Sequence, residues 1–108
     1  MDVAVRHRPA EELPELKALL QLACGMADLR FHAERPWASA TFHGTRHTVA
    51  LDFIGIEAVT YAEAFIAELP RTDMVLAGKM VADASIIAVD RTNAPRTDVV
   101  LELLVLEN

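Results

Sequence analysis

The sequence contains one group of polar residues whose side chains could form a functional site together: Arg6, Asp52, Asp83 and Ser85. In the strand order predicted below, Arg6 lies on a strand between those that carry the two aspartates. An arginine placed there would neutralise carboxylates that are costly to bury unpaired. We therefore expect either a polar network that sets the register of an interface or a ligand or substrate site made by the same groups.

The other reactive residue types show no motif with a mechanism. The four histidines lack the spacing of a metal site. A hairpin register around Gly44-Thr45 would send His43 and His47 to opposite faces of a sheet. Cys24 lies in an apolar helical stretch and is predicted to be buried and inert. Neither a serine elbow nor a phosphate-binding loop occurs, so we predict no metal and no cofactor.

Composition favours a folded domain and disfavours some partners. The chain has 108 residues, 53% of them hydrophobic and 24% charged, which predicts one domain spanning 1–108. Its net charge of −6 makes nucleic acid an unlikely partner. A single cysteine implies no disulfide, and no stretch has the apolar length of a signal peptide or a membrane span. We expect a cytoplasmic protein without a membrane partner.

Hydrophobic periodicity predicts alternating strands and helices. Proline and glycine mark the breaks: Pro36 makes 30–37 a connection, and Gly44-Thr45 suits a two-residue hairpin turn. On the hairpin, Val49, Leu51 and Phe53 would share the face of Phe42, while Asp52 would lie on the other. The predicted elements are a strand over 2–7, a helix from the first turn at Pro14 to about 28, strands over 38–43 and 46–54, a helix over 58–69, and strands over 79–90 and 97–106.

This order predicts an α+β fold of the ferredoxin-like class. The first six elements match a βαββαβ sandwich, and the seventh adds a C-terminal strand. Right-handed crossovers would place both helices on one face of an antiparallel sheet. The first strand would then lie between the third and the fourth, with the fifth beside the fourth.

The last two strands are apolar on both sides, and this predicts an assembly. We expect one apolar set to face away from the helices, where a single copy could not cover it. Two-fold pairing of such a surface would give a homodimer. The side chains predicted on that outer face are Asp83, Ser85, Ile87, Val89, Val99, Leu101, Leu103 and Val105.

These features predict a homodimeric interaction or small-ligand-binding module without catalytic activity. The alternative is a small enzyme of the dimeric α/β-barrel kind, with a pocket between sheet and helices. In that case Arg6, His47 or Asp83 would act as acid, base or anchor. A cavity holding a perturbed histidine or aspartate would favour the enzyme, and a filled core would favour the module.

Overall fold

The computed structural model describes residues 13–76 and 78–107. The predicted first strand, with Arg6, lies outside the described residues. Their elements are α1 (Pro14–Leu22), β1 (Asp28–Ala38), β2 (His43–Ile54), α2 (Ile56–Glu68) with a following 3-10 turn (Leu69–Arg71), β3 (Val75–Leu76), β4 (Lys79–Asp90) and β5 (Arg96–Glu107). Within these described residues, the five strands form one antiparallel sheet in the order β1-β2-β5-β4-β3. The predicted α+β class with two helices and an antiparallel sheet is confirmed.

Helix α1 is shorter than its apolar stripe predicted. Pro14 lies in the first turn, where a missing N–H costs nothing. The helix ends after Leu22 because Cys24 and Gly25 take left-handed backbone angles, with φ of 57° and 71°. The Gly25 N–H donates to the Leu20 carbonyl at 3.0 Å, which closes the C-terminus. Cys24 is exposed, so the prediction of a buried thiol is wrong.

The first hairpin turns earlier than predicted. Its turn covers residues 39–42, where the Ser39 N–H donates to the Phe42 carbonyl at 2.8 Å. The predicted connection over 30–37 is instead part of β1, an edge strand that tolerates Pro36. Gly44 lies within β2, where a Cβ would collide with the Val105 carbonyl oxygen. This glycine therefore permits close approach of β5 and does not form a turn.

The predicted ferredoxin-like strand order is not confirmed. Strand β2 pairs with β5 along its whole length, from His43 opposite Glu107 to Ile54 opposite Arg96. No position remains between them for another strand. Burial explains why these two strands pair. β2 and β5 have equal length, and each has one apolar face. Pairing the strands places both of these apolar faces under the helices.

Both helices pack on the same face of the sheet, which we call the helix face. One apolar cluster joins them to the sheet, and Phe53 and Phe65 lie at its centre with ring centroids 5.7 Å apart. The prediction that Val49, Leu51 and Phe53 face the helices is confirmed. The prediction that Phe42 joins them is wrong, because it lies in the exposed turn.

Strand β5 faces the opposite way from the prediction. Val99, Leu101, Leu103 and Val105 are at most 1% exposed and belong to the core beneath the helices. The charged residues that alternate with this apolar set explain why the apolar set faces the helices. Glu102 lies on the opposite sheet surface, where its carboxylate pairs with Arg46 at 3.4 Å. The expected apolar outer patch is therefore the core of a single copy, and the homodimer built on it loses its basis.

Strand β4 contains two irregularities that change which side chains share a face. The register with β5 shifts between Val81 and Asp83 and again between Ile86 and Ala88. Such bulges reset the alternation of a strand. Asp83 and Ser85 consequently lie on the surface opposite the helices, as predicted. Val89 lies opposite Val99 on the helix face, against the prediction.

Candidate functional site

The sheet surface opposite the helices, called here the open face, carries an ion-pair cluster at the end where β2 finishes. Asp52 accepts from Arg30 Nε at 2.7 Å and from Arg96 Nη2 at 3.0 Å. Arg96 Nε also donates to Asp98 at 2.8 Å, and this bond lowers the pKa of the Asp98 carboxyl. The bulge between Leu29 and Phe31 adds Arg30 to β1 and turns it toward Asp52. We call these four charged residues the Asp52 cluster.

The four residues singled out from the sequence do not form one site in the described structure. Asp52 lies opposite Asp98, whereas Asp83 lies opposite Leu104, six positions further along β5. At about 3.3 Å per residue, the two aspartates are roughly 20 Å apart along the sheet. Ser85 lies opposite Glu102. Arg6 is outside the described residues, and Arg30 and Arg96 are the partners of Asp52.

A second polar cluster lies on the helix face, between the start of α1 and the sheet, around two buried side chains. Lys79 Nζ donates to Glu15 Oε2 at 2.9 Å, and His47 Nε2 lies 4.0 Å from the same oxygen. His47 Nδ1 and His32 Nε2 share a hydrogen bond at 3.0 Å, with the rings stacked. The side chains of Glu15 and His47 are each only 4% exposed. We call these four residues the Glu15 cluster.

Burial and charge oppose each other in the Glu15 cluster. Burial by itself raises the pKa of Glu15, but the hydrogen bond from Lys79, a backbone hydrogen bond and the Lys79 charge together outweigh it and hold that pKa below its usual value. The same bond raises the pKa of Lys79. Burial lowers the pKa of His47, and the carboxylates of Glu15 and Glu34 only partly offset this. The cluster therefore holds a charged Glu15–Lys79 pair beside a neutral imidazole at neutral pH.

No pattern in the sequence indicated the Glu15 cluster. Of its residues, only His47 was predicted as a possible acid or base. Glu15, His32, His47 and Lys79 come from four different elements with no shared spacing. His43 and His47 lie on one face of β2, four residues apart, so their predicted separation onto opposite faces is wrong. The 4% exposure of the His47 side chain leaves it no route to a substrate in this conformation. The cluster anchors α1 to the sheet.

Lowering the pH below about 6.5, the ordinary pKa of histidine, is expected to reduce the free energy of unfolding. The folded pKa of His47 is lowered, so the unfolded chain binds more protons in the window below 6.5, and stability falls there. The contribution of Glu15 is lost only at lower pH, below its ordinary 4.5. Urea unfolding between about pH 7.5 and 5.5 measures this slope.

His47→Gln is expected to flatten the pH dependence, because it removes the titrating imidazole from the buried position. His43→Gln is the matched control, since His43 is exposed on the same strand. An equally steep slope in His47→Gln would show that another group is responsible.

Metal and membrane sites are not found in the part of the chain that the structure describes. Among residues 13–76 and 78–107, no group of three or more histidine, cysteine or acidic side chains is arranged to hold a metal ion. Within the same ranges, no helix has both the length and the apolar character needed to cross a bilayer.

Large apolar side chains are exposed at several places in the part of the chain that the structure describes. On the open face, Phe31 and Met80 are each about half exposed, opposite Ala50 and Leu106. At the two ends of the sheet, Phe42 is half exposed and Ile56 is 80% exposed. Such side chains are candidates for contact with other proteins.

One solved structure resembles this chain along almost its whole length. It is a chain of the virion of a native gene transfer agent particle, aligned with a TM-score of 0.62 over 94% of this chain and 99% of that chain. The two sequences are 17% identical, so the likeness shows a shared fold. No protein-family model and no curated protein match this sequence.

Proposed function

We propose that this chain is a structural subunit of a virion-like particle and that it acts through protein–protein contacts. The observation that carries the proposal is the match, over nearly the full length of both chains, to a component of a gene transfer agent virion. That particle is an assembly, so a chain with the same fold would act in it through its contact surfaces.

The geometry supports an assembly role over an enzymatic one. Burial lowers the pKa of His47, and its side chain in the Glu15 cluster is only 4% exposed beneath α1. The layer between sheet and helices is filled by core side chains such as Phe53 and Phe65. A filled core favours an interaction module over an enzyme with a pocket between sheet and helices.

The open face supplies one contact surface. Phe31 projects from it near the start of edge strand β1, directly after Arg30 of the Asp52 cluster, whereas Ala50, Leu104 and Leu106 on the same face are buried. The internal pairing of Asp52 with Arg30 and Arg96 neutralises this end, which lowers the cost of covering it with another protein. A homodimer stays a prediction, and the open face rather than the apolar set of β5 would have to form it.

Phe31→Glu is expected to reduce incorporation of the chain into particles by about tenfold, because a charge replaces an apolar contact. In the cell that encodes the chain, density-gradient fractions would be probed for the chain and for particles by electron microscopy. Ala64→Glu is the matched control, since it adds the same charge at an exposed position of α2.

Two results would contradict the proposed function. One is wild-type chain that stays out of every particle fraction. The other is particles that form normally, in number and in shape, when the chain is deleted. An effect of Ala64→Glu as large as that of Phe31→Glu would instead indicate that added charge, and not the open face, determines incorporation.

A further inference from the structure

An exposed aromatic side chain is held at one end of the sheet. Phe42 is 52% exposed and ends the turn between β1 and β2. Two bonds order this turn: Ser39 N–H donates to the Phe42 carbonyl at 2.8 Å, and Phe42 N–H donates to Ser39 Oγ at 3.2 Å. The ring is therefore presented to solvent on a defined support. We call residues 39–42, the turn between β1 and β2, the tip.

A cavity of about 400 Å³ lies at the opposite end of the sheet. It opens between one face of α2, with Val59 and Thr60, and the β4–β5 turn, with Ala94 and Pro95. Its volume falls within the range of protein pockets that hold small organic groups, so it accommodates an aromatic ring. Ile56, on the same face of α2, is 80% exposed beside it and extends the apolar surface.

The tip and the cavity of one copy cannot meet. The tip adjoins the first residue of β2, and the cavity adjoins the first residues of β5, which pair with the last residues of β2. Twelve residues of β2 separate the two features. At about 3.3 Å per residue, they are roughly 40 Å apart. The tip of one copy can therefore fill the cavity of a neighbouring copy, but it cannot fill the cavity of its own copy.

The charges of the two ends are compatible with contact between copies. The whole chain carries a net charge of −6, which opposes close approach of like copies. The tip, however, contains no Asp, Glu, Lys or Arg. At the rim of the cavity, Arg91 donates two bonds to Glu63, at 2.7 and 2.8 Å, so their charges cancel. Arg96, which also lines the cavity, is paired with Asp98 and Asp52. An uncharged tip thus meets a neutralised rim.

We propose that Phe42 of one copy inserts into the cavity between α2 and the β4–β5 turn of a second copy. The contact joins two different surfaces, so it is heterologous, and repetition gives a closed ring or an open stack of subunits. This inference deepens the proposed function and rests on it: the particle subunit would have a like copy as its neighbour. The two-fold dimer expected from the sequence would instead join identical surfaces.

The test uses complementary variants of the full chain. Phe42→Ala removes the inserted ring. Thr60→Trp fills the cavity with a side chain of its own copy, and Ala94→Trp does so independently from the turn. Circular dichroism and thermal unfolding establish that each variant is folded. Association is measured by sedimentation velocity and light scattering up to roughly 100 µM, because a small contact of this kind is weak.

The wild-type chain is expected to form oligomers, and each variant alone is expected to associate at least about tenfold more weakly. A mixture of Phe42→Ala with Thr60→Trp is expected to restore association, but only to dimers, since one intact tip meets one intact cavity. Ile87→Ala is the matched control for loss of an exposed apolar side chain, because Ile87 on β4 has the same 52% exposure and lies outside both the tip and the cavity. Ala64→Trp is the control for an added tryptophan on α2.

Several results would overturn the inference. They are a wild-type chain that is monomeric over the whole concentration range, Phe42→Ala that associates like wild type, or a mixture that forms no dimers. A loss in Ile87→Ala as large as in Phe42→Ala would show that removing any exposed apolar side chain weakens association, and would overturn the specific role of the tip. A monomeric chain that is still found in particles would overturn this inference alone, and absence from particles would overturn the proposed function.

Discussion

Leu101→Ala is expected to lower the free energy of unfolding by about 3–4 kcal/mol, within the range measured for buried leucines. Leu101 is 0% exposed, pairs with Val49 across the sheet and belongs to the cluster beneath both helices. Truncation removes apolar contacts and leaves a cavity that the sheet cannot close, because its backbone is bonded on both sides. Urea unfolding followed by circular dichroism measures the loss.

The neighbouring residue provides a matched control for this variant. Val100→Ala lies next to Leu101 on the open face and is only partly buried. We expect it to cost less than about 1 kcal/mol, since fewer contacts are lost. Equal losses in both variants would contradict the assigned facing of β5. A Leu101→Ala variant with unchanged stability would restore the view that this residue belongs to an interface between copies.

Lys79→Met is expected to lower the free energy of unfolding by about 2 kcal/mol at neutral pH. It leaves the carboxylate of Glu15, with a 4% exposed side chain, without the ammonium group that neutralises it. Removing one partner of a fully buried pair typically costs about 3–5 kcal/mol. We expect less here because the Lys79 side chain is 33% exposed, so water already screens part of the interaction.

Two comparisons separate charge from packing in this variant. The double variant Glu15→Gln with Lys79→Met is expected to recover part of the lost stability, since no unpaired charge stays buried. Lys17→Met is the control, because Lys17 is exposed on α1. The deficit of Lys79→Met is also expected to shrink as the pH falls and Glu15 becomes protonated. A deficit that is independent of pH and unchanged in the double variant would assign the effect to lost packing.

The proposed role and the buried clusters have one physical connection. An assembly subunit must present the same surface in every copy, so its helices and strands need fixed relative positions. The Glu15 cluster holds α1 on the sheet, and the Asp52 cluster ties β1, β2 and β5 together on the open face. Both clusters stabilise the surfaces that neighbouring proteins would contact.

Local periodicity in the sequence determined much of the secondary structure. The second helix and the last two strands lie where the apolar patterns place them, and the alternation of Val49, Leu51 and Phe53 identified the buried face of β2. The positions of these elements and the buried face of β2 depend on the angle between successive side chains. Residues that are neighbours along the chain specify this angle. The α+β class followed from the same signals.

Only the tertiary structure decided how these elements combine. Alternation sorts the residues of β5 into two sets but does not say which set meets the helices, and both sets are rich in apolar residues. The pairing of Glu102 with Arg46 of β2 shows which set faces away from the helices. That pairing depends on a strand order that no local pattern encodes. In the sequence, Gly44 likewise resembles a turn residue. Only the packing of β5 against it shows that the glycine is needed for close approach of the two strands. The Glu15 cluster joins residues up to 64 positions apart, because only the folded chain brings them within bonding distance.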